Sequence, residues 1–223
     1  MERKIEHIKK IFKLLKDQLK DSRLPSASKS NWDEVIDTPY TTLISCILSL
    51  RTKDEVTDKA SIQLLKKYNT PEKIFKLSKQ KIQSLIYPVG FYKTKSKRIK
   101  EISKTLIKNY DGKVPDDFDE LLKIKGVGRK TANIVMLYGH KKQGFLPIDT
   151  HCHRIPNRLG WIKTKIPEET ELALKKILPT KYWNDFNQLF VTFGQTICVP
   201  ISPFCSKCPI QKFCKKVGVK KSR

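Results

Sequence analysis

The residues best suited to covalent chemistry sit beside a pair of glycines. Lys130 follows Gly126-Val127-Gly128-Arg129, and Asp149 lies at the end of the next loop. An apolar turn (Phe118, Leu121, Leu122) precedes the glycines, and a second apolar run (Ala132, Ile134, Val135, Leu137) follows them. This pattern predicts two helices joined by a tight turn, a helix–hairpin–helix over 118–139. Glycines permit positive φ and close approach of the backbone to an outside group. The first N–H groups of the second helix lack intrahelical partners and carry the positive end of its dipole, so the turn is a phosphate site. Lys130, in the first turn, is a candidate nucleophile. Its position at a helix N-terminus, beside Arg129 and near Lys125, favours the neutral amine that attack requires. Asp149 can stabilise developing positive charge or accept a proton. Placed just before Thr150, it also suits a helix N-cap.

A second constellation is Cys198, Cys205, Cys208 and Cys214, spaced C-x6-C-x2-C-x5-C among Pro200, Pro203 and Pro209. Four loop-borne thiols this close together suit a metal or a cubane cluster. Spacing alone leaves zinc and [4Fe–4S] open. A four-cysteine zinc site usually shows two C-x2-C knuckles and this chain has one, which favours iron–sulfur. Cys46 and Cys152 lie on apolar or helical stretches and read as packing residues.

The chain carries 46 Lys and Arg against 22 Asp and Glu, a formal net charge of +24. That excess goes beyond a lysine coat on solvated helices and points to a polyanionic partner, nucleic acid being the commonest. No stretch is long and apolar enough to span a membrane, and no signal-peptide core is present. The expected setting is the cytoplasm, in a prokaryotic cell. There clustered cysteines mean metal rather than disulfides.

The positioning elements follow from periodicity and punctuation. Ile5, Ile8, Phe12, Leu15 and Leu19 mark one helical face, and Ser22 to Asn31 reads as a loop. Thr38-Pro39 and Thr70-Pro71 are N-cap and first-turn pairs. The first opens a helix to Leu50 that is apolar nearly all round and therefore central (Leu43, Ile44, Ile47, Leu48), and the second opens Glu72–Leu77. Further helices are expected at Asp54–Tyr68, Lys79–Ile86 behind Ser78, Thr94–Tyr110 and His151–Leu159, then after a start signal at Ile166-Pro167-Glu168-Glu169, with Leu172–Leu178 and Trp183–Phe193 as the last long helices. No alternating strand pattern occurs, so the fold class is all-α.

Three features now coincide in order: the hairpin Gly126-Val-Gly-Arg-Lys-Thr-Ala-Asn133, the segment Ile148-Asp-Thr-His-Cys-His-Arg154, and the terminal cysteine loop. Together they resemble the endonuclease III family of DNA glycosylases, in the helix–hairpin–helix Gly/Pro-Asp superfamily. Arg158-Leu-Gly-Trp161 and Phe193-Gly-Gln195 add to the likeness, which runs from about Tyr40 to Cys214. The resemblance implies two lobes: a six-helix barrel over 31–145, and an iron–sulfur domain of 1–30 with 146–223 whose cluster loop is 198–214. It implies a monomer that binds double-stranded DNA with an oxidised base or an abasic site across the cleft between the lobes. The implied activity is base excision repair, removal of oxidised pyrimidines followed by AP lyase cleavage. Lys130 and Asp149 would be catalytic, and the four cysteines would hold the [4Fe–4S] cluster. Gly126, Val127, Gly128, Arg129, Arg51 and His151 would contact DNA, while His153 reads as packing. Rival readings are a monofunctional mismatch or adenine glycosylase of the same fold, or a non-enzymatic zinc-containing DNA-binding protein. Three positions depart from the family. Arg51 stands where a Gln after Leu-Ser-x often fills the gap left by the extruded nucleotide. Lys125 replaces a Pro before the hairpin, and Pro156 interrupts the helix after Asp149.

Overall fold

A computed structural model describes residues 2–20, 35 and 37–223. The loop expected at Ser22 to Asn31 and the boundary expected at 30/31 lie outside the described residues, as does the side chain of Ile5. Among the described residues the chain is helical and has no strand, as its patterning predicts. It divides into two compact units, one built from the N-terminal helix and the chain from Leu146 onward, the other ending at Phe145.

The unit ending at Phe145 is organised around α2 (Pro39–Ser49). Thr38 starts that helix with a capping box, its hydroxyl accepting from the Thr41 N–H while the Thr41 hydroxyl accepts from the Thr38 N–H. Leu43, Ile44, Ile47 and Leu48 are fully buried, so apolar side chains surround the helix. Packed about it are α3 (Asp54–Leu65), α4 (Pro71–Phe75), α5 (Lys79–Ile86) and α6 (Tyr92–Tyr110). Thr70 and Ser78 cap α4 and α5 as expected. The fourth helix stops at Phe75 rather than Leu77, and α6 starts two residues before Thr94, at Tyr92. Phe91 sits in the left-handed region at φ 57 and turns the chain straight into α6, an arrangement that no sequence signal marks.

The hairpin closes this unit. It consists of α7 (Phe118–Lys123), capped by the Asp117 carboxylate, and α8 (Arg129–Ile134), which continues as a π turn to Gly139. Its anchors are apolar. Leu121, Ile124, Val127 and Ala132 are buried, and the end of the π turn comes so near the start of α2 that a Cβ on Gly139 would lie 2.8 Å from Pro39 Cα.

The other unit packs α1 (Glu2–Leu19) against α9 (Thr150–Leu159), α10 (Pro167–Ile177) and α11 (Trp183–Thr196). Phe12, Phe186, Phe190 and Phe193 form its centre, with the Phe186 and Phe190 rings stacked at 4.2 Å. Burial of each such side chain stabilises by about 1.5–3 kcal/mol. The C-terminal loop folds through two 3-10 turns, Cys205–Lys207 and Gln211–Phe213, onto this core.

Candidate active site and nucleic-acid interface

The two hairpin glycines do different jobs. Gly126 has φ +93, a conformation only glycine takes without strain, and a Cβ there would lie 2.7 Å from the Arg98 side chain. Gly128, which is free to take positive φ as well, is instead extended at φ −99, ψ 173, which any residue can adopt. A Cβ on Gly128 would meet nothing within 4 Å. Nothing inside the protein therefore requires glycine at 128, and what a side chain would obstruct is the approach of an outside group. Gly128 is also the N-cap of α8 and has no side chain to satisfy the N–H groups of the first turn.

Lys130 occupies that first turn and is exposed. Its charge reaches the Cys46 thiol on α2. Burial pushes that thiol up to about 12, and the Lys130 ammonium opposes the shift. Arg129 is half-buried and stacks over the Phe118 ring at 5.0 Å, which ties the two helices of the hairpin together. Val127 is buried, so it presents backbone rather than side chain.

A groove of about 300 Å³ runs from Gly126 past Arg98 and Lys95 to Arg51 and Phe91. Arg51 is exposed and held at φ 52 in the loop after α2, with its guanidinium 5.9 Å from the centre of the Phe91 ring. Beneath them Lys95 is buried, and its ammonium donates to the Leu48 carbonyl (2.8 Å), the Leu50 carbonyl (2.5 Å) and the Thr52 hydroxyl (2.9 Å). Desolvation lowers the Lys95 pKa to about 8. Sequence reasoning missed Lys95, Phe91 and Arg98, because the bonds of Lys95 join positions more than forty residues apart and periodicity sees only one helix at a time.

In the other unit Asp149 is the N-cap of α9. Its Oδ1 accepts from the N–H of His151 (2.9 Å) and of Cys152 (2.7 Å). Both bonds use one oxygen, which leaves Oδ2 for a second task. His151 seats its ring against Gly194, where a Cβ would come within 2.3 Å of Nδ1, and that nitrogen accepts from Arg154 at 3.0 Å. The ring is thus built into the packing around Asp149. His153 bonds Thr170 at 2.6 Å, the packing role its sequence context suggests. Cys152 is fully buried in the core beside Asn187, and Pro156 lies buried within α9.

The four clustered cysteines line a single cavity with Arg158, Phe193 and Ile210. Burial drives the Cys208 thiol up to about 11, opposed by the Ile210 N–H, and the neighbouring thiols push in the same direction as burial. Burial likewise raises Cys214. Four thiolates here need a cationic centre to neutralise them. Donors are already in place, since Arg158 reaches the Cys198 sulfur at 3.4 Å and the Lys216 N–H reaches the Cys214 sulfur at 3.3 Å. Among the described residues, no three His, Cys, Asp or Glu side chains converge as one metal ion would require.

Comparison with known proteins gives a consistent result. The pattern of the HhH-GPD superfamily base excision DNA repair proteins matches residues 44–180. The endonuclease III of Thermotoga maritima is 50% identical over 177 residues, covering 79% of this chain and 83% of the relative. The endonuclease III-like protein 1 of Gallus gallus is 40% identical over 78% of this chain and 63% of its own length. Among solved structures, a trapped endonuclease III–DNA covalent intermediate superposes with a TM-score of 0.81 at 29% identity, covering 95% of both chains. No helix among the described residues is long and apolar enough to cross a membrane. The chain belongs to the endonuclease III family of HhH-GPD base excision repair enzymes, the DNA glycosylase/lyases.

Proposed function

We propose that this enzyme removes oxidised pyrimidines from duplex DNA and then cleaves the resulting abasic site through a Schiff base on Lys130. The observation that carries the proposal is an exposed lysine in the first turn of a helix whose N-cap, Gly128, has open space where a side chain would be. The phosphate backbone binds along Gly126–Arg129, accepting from the uncapped N–H groups of α8. The damaged nucleotide is extruded, at a cost of a few kcal/mol that is least for a damaged pair. Arg51 fills the gap left behind. Lys130 Nζ forms a bond to C1′ as the bond from C1′ to the base breaks, and the base leaves with the electron pair. Opening of the sugar ring gives a Schiff base, which acidifies the 2′ proton. Loss of that proton expels the 3′ phosphate by β-elimination. To Asp149 falls stabilisation of the positive charge that develops on the sugar, or removal of the nucleophile's proton, while its Oδ1 keeps capping α9.

Cys198, Cys205, Cys208 and Cys214 would hold a [4Fe–4S] cluster, whose contribution is to fold the C-terminal loop into a positioned surface. Four thiols lining one cavity, with the Arg158 guanidinium and the Lys216 N–H already reaching two of their sulfurs, fit the ligand set of such a cluster. Charge and hairpin together make duplex DNA the partner.

Borohydride trapping on DNA carrying an abasic site tests the central step. Wild-type protein should form a covalent adduct that Lys130→Ala abolishes. An adduct undiminished in that variant, or none at all with wild type, rejects the mechanism. The second outcome is also what a monofunctional glycosylase of this fold would give.

A further inference from the structure

Two loops place exposed side chains at the rim of the groove. The loop after α2 presents Arg51 and the loop before α6 presents Phe91, which is 62% exposed. Both residues are non-glycine and both sit in the left-handed region, at φ 52 and φ 57. Such conformations persist only where surrounding contacts over-determine them.

Those contacts converge on one buried ammonium and one hydroxyl. Lys95 donates all three of its protons to the Arg51 loop, to the carbonyls of Leu48 and Leu50 and to Thr52 Oγ1. This places a cation on the carbonyl end of α2, where the helix dipole favours it. Thr52 Oγ1 also accepts from the Gly90 N–H at 3.2 Å, which draws in the Phe91 loop. Gly90 fits because it has no side chain. A Cβ there would lie 2.7 Å from the Arg51 carbonyl oxygen and 3.3 Å from Thr52 Oγ1. Lys95 itself projects from the first turn of α6, directly after the Phe91 loop. One side chain therefore fastens both loops to the same rigid helix pair.

We infer that Lys95, Thr52 and Gly90 form a clamp that positions the Arg51 and Phe91 loops against duplex DNA, and that Lys95 is a positioning residue for reading the base opposite the lesion. The inference rests on the reading of Arg51 as the side chain that fills the vacated gap. A gap-filling side chain discriminates among orphaned bases only if its backbone is fixed within a fraction of an ångström. Without the clamp, Arg51 would reach the gap from many backbone positions and discriminate less.

The test compares Lys95→Met and Thr52→Val with Arg51→Ala and wild type. Thr52→Val keeps the shape of a partly exposed residue and is the fallback should Lys95→Met fold poorly. Glycosylase rates are measured on duplexes with one damaged pyrimidine opposite each of the four bases, and lyase rates on an abasic site in single-stranded DNA. Single-stranded DNA has no orphaned base to read. The expected result is that both clamp variants flatten the ratio between best and worst opposite base at least fivefold. Their duplex rates should also fall at least tenfold more than their single-strand lyase rates. Parallel losses on both substrates, with the opposite-base ratio intact, would reduce Lys95 to a purely structural residue and overturn the inference. An opposite-base ratio unmoved by Arg51→Ala would overturn it too, and would show that the fault lies in the gap-filling assignment. A ratio moved by Arg51→Ala but by neither clamp variant would locate the fault in the clamp.

Discussion

Replacing either hairpin glycine with alanine should separate folding from DNA binding. At Gly126 the backbone stands at φ +93, and an added Cβ would press on the Arg98 side chain at 2.7–2.9 Å. Forcing an L-residue into left-handed backbone costs about 1–2 kcal/mol, before Arg98 is displaced. For a chain of this size each kcal/mol moves the melting temperature by about 2–4 °C, so Gly126→Ala should melt about 2–8 °C lower. At Gly128 the backbone is extended and the added methyl would meet no atom within 4 Å. Two small effects oppose each other there. Alanine removes about 0.4–1 kcal/mol of conformational freedom from the unfolded chain, and is a poorer N-cap than glycine by a similar amount. Gly128→Ala should therefore melt within about 3 °C of wild type. Its methyl would nevertheless stand in front of the N–H groups of α8, where a phosphate oxygen has to come. Losing one hydrogen bond to a charged group costs about 1.5–3 kcal/mol, which corresponds to roughly 10- to 100-fold in affinity. Anisotropy titration of a duplex carrying a stable abasic analogue measures the affinity, and calorimetry measures the melting. A Gly128→Ala protein that binds this duplex like wild type would refute the assignment of the hairpin as the phosphate site. Equal destabilisation by both substitutions would refute the distinction between the two glycines.

Asp149 offers a similar separation. Asn can still cap α9, so Asp149→Asn should melt within a few degrees of wild type yet lose its base-excision rate, whereas Asp149→Ala should lose about 1 kcal/mol in addition, as chemical denaturation would register. Removing the cluster, by Cys205→Ser or by acid treatment, should bleach the visible absorption and lower the melting of the unit that contains α11. A colourless wild-type protein containing zinc would contradict the cluster assignment. Lys95 should leave a signature in the pH dependence of stability. Its pKa falls from 10.5 to about 8 on folding, so between those values the unfolded chain binds more protons and stability rises with pH, by about 3 kcal/mol. Lys95→Met should lack that rise, and parallel curves for wild type and variant above pH 8 would show that the buried ammonium is not strained. DNA affinity should fall steeply as salt is added, through release of counterions, and a flat response would contradict the role assigned to the net charge of +24.

What the chain announces in advance is local. Thr38-Pro39, Thr70-Pro71 and Ser78 start helices because a hydroxyl beside the first turn can accept its N–H groups, a property that spans three or four residues. The central position of α2 could be read from a helix with no polar face. The hairpin was legible because its turn chemistry and its two apolar anchors lie within one short stretch. Gly128 shows where this legibility ends, since a glycine pair permits two positive φ angles and only Gly126 has one. Lys95 marks the same limit more sharply. In the sequence it is one lysine among many on a basic helix. Only the return of α2 beneath α6 turns it inward to meet three oxygens.

The way helix ends are treated separates structural from functional termini. Thr38, Thr70, Ser78, Asp117 and Asp149 each bend a side-chain oxygen onto the N–H groups of the helix they begin, and in the first four that settles the account locally. At α8 the capping position has no side chain at all, and the space in front of it is open. Leaving polar groups without a partner is costly wherever water is excluded, and DNA closing over the hairpin would exclude it. The first-turn N–H groups, which Gly128 leaves without a side-chain cap, then gain most when an anion takes the water's place. A serine at 128 would remove that gain by capping α8 from within. Gly128→Ser should accordingly stabilise the free protein, by a few tenths of a kcal/mol through the cap and up to about 1 kcal/mol once the reduced freedom of the unfolded chain is added, while weakening DNA binding at least as much as Gly128→Ala does. A serine variant that gained stability and kept wild-type affinity would mean that the phosphate is held by side chains such as Arg129 alone, and that the open cap of α8 has no part in binding.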